Sequence, residues 1–183
     1  CDKEKSSSCQ KKEKIMLNLE METTVSESHN PIDALEAIAT ENKWPLEKMS
    51  DEEASLECTG RWGDFVLSFL WQEEFNALQF CAVSELKVGA DKMQAVKELL
   101  FDVNHKTWLG HFDVESGTQC VVFRYNSLMR GVSLNTHEHI EDIIEAAMTE
   151  FDRFYPAFTA VLSHRVVAND VMSAMLADTV GEA

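Results

Sequence analysis

Long apolar runs are missing from this 183-residue sequence. No stretch approaches the roughly 18 to 20 apolar residues that a membrane-spanning helix needs, and no secretory leader is recognisable. We therefore expect a soluble, cytoplasmic protein. The chain is long enough to bury a hydrophobic core without help from a disulfide or a structural metal.

Catalytic and cofactor motifs are scarce too. The seven glycines are mostly isolated, and there is no glycine-rich phosphate loop and no GxSxG nucleophile turn. The five cysteines form no CxxC pair, and their odd number and wide spacing predict reduced thiols. Three of them, Cys58, Cys81 and Cys120, fall in apolar strands, where a thiol usually acts as a small hydrophobic side chain. From these absences we predict that the protein uses no cofactor and has no catalytic residues.

Basic residues are few. The chain has 16 Lys and Arg against 32 Asp and Glu, so its formal net charge is -16. A surface of this sign repels nucleic acid and anionic membranes. We expect a protein partner, which the sequence does not identify.

Structure is predicted to begin near residue 29. Residues 1–28 are polar and lack apolar periodicity, which predicts a disordered tail before a single domain over 29–183. Asn30 suits a helix N-cap and Pro31 suits the first helical position. The apolar face of Ile32, Leu35, Ile38 and Ala39 predicts a helix that ends near Asn42.

The remaining pattern predicts an α+β fold. Alternating apolar residues in ASLECTG, RWGDFVLSFLW and LQFCAVSELKV predict three strands, and TWLGHFDV and QCVVFRYNSLM predict two more. Between these groups, a stripe from Met93 to Val103 predicts a helix with a capping box of Asp91 and Gln94. A long apolar helix, HEHIEDIIEAAMTEFDRFYPAFTAVLS, should be kinked or broken at Pro156, and DVMSAMLADT predicts a short final helix. The expected fold is an antiparallel sheet packed with helices.

The segment HKTWLGHFD carries the most chemistry. Strand alternation places Trp108, Gly110 and Phe112 on one face and His111 and Asp113 on the other. A histidine beside an aspartate can act as a general base, but no nucleophile or metal ligand lies nearby in sequence. A hydrolase-type enzyme that uses His111 and Asp113 with an unidentified partner residue therefore remains the alternative to a non-enzymatic protein.

Two further features concern metal and partner binding. HEH at 137–139 lacks the HExxH spacing of a zinc site, and two histidines two apart on a helix point in different directions, so we expect no metal there. Trp62 and Trp71 would lie on opposite faces of one strand, so one should anchor the core and the other a partner. The candidate partner-binding surface comprises Trp62, His111 and Asp113.

Several blocks, in order, resemble one family. They are NPIDALEAIATENKWPLEKMSDEEASLECTGRWGDFVLSFLWQEEFNALQF, NHKTWLGHFDVESG, MRG at 129–131, DRFYPAF at 152–158 and the terminal DTVGEA. Over residues 29–183 they resemble the YbjN-like domain of alphaproteobacteria, a family described as regulators of sensory transduction. The resemblance implies a type III secretion chaperone-like fold, often homodimeric, with no established catalytic residues to carry over.

The sequence thus favours a non-enzymatic, cytoplasmic regulatory or chaperone-like protein-binding domain. A homodimer is also expected, because the predicted elements carry more apolar surface than one sheet can obviously cover.

Overall fold

The computed structural model describes residues 30–130 and 136–163. Along the described chain, one helix is followed by four strands, a second helix, two more strands and a third helix. The expected tail at 1–28 and the expected final helix lie outside the described residues. Among the helices of the described ranges, none combines the length and the apolar character needed to cross a membrane.

Helix α1 spans Pro31–Asn42 and starts as its sequence predicts. The Oδ1 atom of Asn30 accepts a hydrogen bond from the Ile32 N–H at 3.0 Å, and Pro31 occupies the first turn. The helix ends where Lys43 adopts a left-handed conformation and donates its N–H to the Ala39 carbonyl. All four residues of the predicted apolar face are buried.

The sheet is wholly antiparallel, with strand order β1-β2-β3-β4-β6-β5. Its strands are β1 Leu46–Lys48, β2 Glu53–Thr59, β3 Asp64–Gln72, β4 Ala77–Lys87, β5 His111–Val114 and β6 Cys120–Leu128. A short 3-10 helix, Glu73–Phe75, turns the chain between β3 and β4. The antiparallel α+β prediction is confirmed, but β1 was not predicted because three residues are too few to show a period.

Helix α2 spans Met93–Asn104 and buries Val96, Leu99 and Val103 of the predicted stripe. The predicted capping box is wrong. The N-cap is Lys92, no side chain caps the helix, and the Gln94 amide instead donates to Glu98 at 3.1 Å.

Helix α3 spans Thr136–Ser163 without interruption, so Pro156 does not break it. The alternative that Pro156 kinks the helix stays a prediction. Proline cannot donate a hydrogen bond to the carbonyl four residues earlier, which is that of Asp152. The indole Nε1 of Trp62 donates to this carbonyl at 3.2 Å instead. A side chain from another part of the chain thus replaces the missing helical bond.

All three helices pack on one face of the sheet and enclose a core rich in aromatic rings. Phe112 of β5 is at its centre, with ring contacts to Phe123, Phe151, Phe154 and Phe158. Each ring is at most 2% exposed. Because the helices cover one face, the alternate side chains of each strand point to the other face.

Candidate functional site

The second face of the sheet, here called the open face, carries no helix within residues 30–130 and 136–163. Its side chains alternate with the buried ones along the central strands, and Val66 is 42% exposed. At its far end Leu128, in register with Ala77, is 75% exposed. The open face is formed by Glu53, Ser55, Glu57, Asp64, Val66, Ser68, Leu70, Gln79, Cys81, Val83, His111, Asp113, Val122, Arg124, Asn126 and Leu128.

The open face is acidic. Glu53 and Glu57 lie on β2 and Asp64 on β3. The guanidinium of Arg124 is already paired, because its Nε lies 3.7 Å from Asp113 Oδ2 and its Nη2 bonds to Glu115. A hydrogen bond from the Gly117 N–H, and then the charge of Arg124, lower the pKa of Glu115. A basic partner would therefore meet favourable charge here.

His111 and Asp113 lie on the open face as predicted, and both are exposed. The alternative in which they act as a catalytic pair requires Asp113 to orient the His111 ring. Asp113 approaches Arg124 through one oxygen and accepts a 2.8 Å hydrogen bond from the Val114 N–H through the other. A carboxylate engaged in this way does not orient the His111 ring, so the geometry gives the hydrolase alternative no support.

A shallow groove of about 290 Å³ crosses the open face beside His111. Its lining includes Ser68, Leu70, Gln79 and Cys81. Burial raises the pKa of the Cys81 thiol, so the thiolate that a nucleophilic cysteine requires is disfavoured.

The other two strand cysteines, Cys58 and Cys120, are buried and free, as predicted. Burial, and then the charge of Asp64, raise the pKa of Cys58 to about 11. This thiol is protonated at neutral pH and acts as a small apolar side chain.

Trp62 lies apart from His111 and Asp113. It belongs to the β2–β3 turn, before β3 begins at Asp64, and it is 40% exposed. Its ring stacks on Tyr155 of α3, with centroids 6.0 Å apart and planes 8° apart. The strand prediction for Trp62 is therefore wrong, whereas Trp71 is confirmed as the core anchor at 5% exposure. The structure does not bring the three predicted surface residues together.

Trp108 also departs from its prediction. Strand β5 starts at His111, and Gly110 before it adopts a φ of +66° that disfavours other residues. Trp108 therefore lies in the connection from α2 and is 73% exposed. The alternation of apolar and polar residues predicted a strand that starts at Thr107, before the observed start at His111.

A serine–histidine pair was not identified from the sequence. Ser127 Oγ of β6 and His139 Nε2 of α3 lie 2.8 Å apart, which is the distance between a nucleophile and its base. Nucleophilic catalysis also needs a group that orients the histidine and a cavity for substrate. Neither residue lines the groove beside His111, and Ser127 is only 5% exposed. We therefore interpret the pair as a contact between sheet and helix.

The geometry defines a small α+β domain with one sheet face that carries no helix within the described residues. A family model described as "YbjN: Putative bacterial sensory transduction regulator" matches residues 31–160, and the chain belongs to this family. The curated proteins compared with the chain include no match.

Proposed function

We propose that this chain is a non-enzymatic, cytoplasmic regulatory domain that binds a protein partner, as a chaperone-like adaptor does, on the open face of its sheet. The observation that carries the proposal is the open face itself. It exposes apolar side chains, Val66 and Leu128, among polar ones, without a covering helix in the described ranges. Exposed apolar surface with a polar rim is typical of protein-binding sites.

Charge indicates what kind of partner fits. The carboxylates of Glu53, Glu57 and Asp64 lie on the face, and the guanidinium of Arg124 on the same face is paired with acidic groups. A segment with apolar side chains flanked by Lys or Arg complements this pattern. Two copies of the acidic face would repel each other, so a basic partner is favoured over self-association through this face.

The family description supports regulation and names no reaction. A hydrolase is the rival function. Asp113 is engaged by Arg124 and by the backbone, and the Ser127–His139 pair does not line the groove beside His111. Neither arrangement contains the set of groups that acyl transfer requires.

Photo-crosslinking in living cells tests this proposal. A photoreactive amino acid replaces Val66 on the open face or, as control, Thr159 on the exposed side of α3. We expect a covalent adduct with another protein from position 66 and none from position 159. The absence of an adduct from position 66, or an adduct only between two copies of this chain, would contradict the proposal.

A further inference from the structure

Three metal-ligating side chains converge where α1 ends and α3 begins. His137 Nε2 lies 3.5 Å from Glu41 Oε2 and 3.5 Å from Glu141 Oε1. All three donor atoms lie within 4.8 Å of one another. His137 and Glu141 share one side of α3 because they are four residues apart, and the packing of α1 against α3 supplies Glu41.

The 3.5 Å separations suit an ion better than hydrogen bonds. An N–H···O hydrogen bond usually has a donor–acceptor distance of about 2.7–3.2 Å, so the imidazole is too far from both carboxylates for a good one. Zn²⁺ binds imidazole nitrogen and carboxylate oxygen at about 2.0–2.1 Å in a tetrahedral arrangement, which places neighbouring donors roughly 3.3 Å apart. Both distances from His137 Nε2 are within a few tenths of an ångström of this spacing, and the two carboxylate oxygens lie within 4.8 Å of each other.

We propose that Glu41, His137 and Glu141 bind one divalent transition-metal ion, for which Zn²⁺ is the best match. The imidazole disfavours Mg²⁺ and Ca²⁺, which prefer sets of oxygen ligands. Three protein ligands leave a fourth position for water or for a group from a partner. The ion joins α1 to α3 and stabilises the folded domain, because it binds the folded chain in preference to the unfolded one.

The surroundings supply further negative charge. A groove of about 390 Å³ adjoins the site and shares Glu141 with it, and Asp142 and Glu145 also line this groove. Carboxylates around a cation strengthen its binding by long-range attraction.

The prediction that HEH binds no metal was based only on the spacing and directions of the histidines within this segment. The two histidines do separate, since His139 contacts Ser127. The sequence could not show that His137 would meet Glu41, which comes from another helix. The metal proposal is independent of the open-face proposal, so either can fail without the other.

Calorimetric titration of the full, reduced chain with ZnCl₂ tests the site. We expect one ion per chain, with affinity at least about tenfold weaker in His137→Ala and in Glu141→Gln. The matched control is His111→Ala, which removes an exposed histidine from the open face and should bind as the wild type does. Absence of saturable binding, or equal affinity in His137→Ala, would overturn the proposal.

Cobalt spectroscopy separates this site from the cysteines. Co²⁺ held by nitrogen and oxygen gives visible d–d bands without the near-ultraviolet thiolate charge-transfer band that cysteine ligands produce. We expect the visible bands alone, and we expect them to be lost in His137→Ala. A thiolate band at one equivalent of Co²⁺ would place the ion on cysteine and overturn the assignment.

Discussion

The indole nitrogen of Trp62 donates a hydrogen bond across 3.2 Å to the main-chain carbonyl of Asp152. That carbonyl is the one left without its helical donor by Pro156. The same indole ring stacks on Tyr155. Trp62 therefore links the β2–β3 turn to α3 at the point where proline weakens the helix.

Replacing Trp62 by Phe should separate these two contributions. Phenylalanine keeps a ring for the Tyr155 stack and removes the N–H, so we expect the unfolding free energy to fall by about 1 kcal/mol. Trp62→Ala also loses the ring contact, worth about a further 0.5–1.5 kcal/mol. Urea denaturation measures both. The control Phe75→Leu, at a 61% exposed position, should change stability by less than about 0.5 kcal/mol. Equal stability of Trp62→Phe and the wild type would contradict this role for the indole nitrogen.

Phe154→Ala should be strongly destabilising. Its ring is 2% exposed and contacts Phe112 at the centre of the core. Removing a buried aromatic ring leaves a cavity and costs roughly 3–5 kcal/mol. Phe75→Ala is the matched control, because Phe75 is 61% exposed on the 3-10 helix. A loss below about 1 kcal/mol for Phe154→Ala, measured by denaturant titration, would be inconsistent with its position.

Local signals predicted much of this fold, because they depend on neighbouring residues. Asn30 and Pro31 define the start of α1 through bonds made within one turn, and alternation of apolar residues predicted the strands around Phe65 and Phe80. The helical spacing of Phe151, Phe154 and Phe158 predicted their burial.

Contacts between distant residues account for what the sequence did not show. The continuity of α3 through Pro156 depends on Trp62, which lies in a turn between two strands. The Ser127–His139 pair and the approach of Glu41 to His137 each join two separate elements. The apolar periodicity of a single segment cannot predict these contacts, because they form only after the helices have packed.

Glu150 should make stability depend on pH. Its side chain is 2% exposed, and its Oε2 has no hydrogen-bond partner within the described ranges. Burial raises the pKa of Glu150, and the Arg153 guanidinium at 4.0 Å opposes that rise only in part. The folded protein thus binds this proton more tightly than the unfolded chain does. The resulting stabilisation is complete below the unfolded pKa and is lost as the pH rises through the folded pKa.

Glu150→Gln removes this ionisation. We expect it to increase the unfolding free energy near pH 8 and to have much less effect near pH 4. Glu145→Gln, an exposed neighbour on α3, provides the control and should leave the pH dependence unchanged. Thermal melts across this pH range make the comparison. Destabilisation by Glu150→Gln near pH 8 would mean that the buried charge is compensated.

We predict that the chain forms a homodimer through α2 and the connection that follows it. From the sequence, the apolar faces of the long helix and of the Met93–Val103 stripe were candidates for the dimer interface. In the structure both faces are buried within one chain. Phe101 and Trp108 remain 77% and 73% exposed, which is typical of an interface. Light scattering should give about twice the 20.7 kDa chain mass, and Phe101→Glu should reduce it to one chain. A single wild-type species near 20.7 kDa at micromolar concentration would contradict this prediction.

We propose regulation through the open face without catalysis, and the transcript profile of the source organism tests this proposal most directly. In a strain that lacks the gene, Val66→Lys should fail to restore the wild-type profile, because it opposes a basic partner, whereas the control Thr159→Lys should restore it. Ser127→Ala removes the hydroxyl that lies beside His139, away from the open face, so it should also restore the profile. Restoration by stably folded Val66→Lys, or failure of stably folded Ser127→Ala, would contradict the proposal.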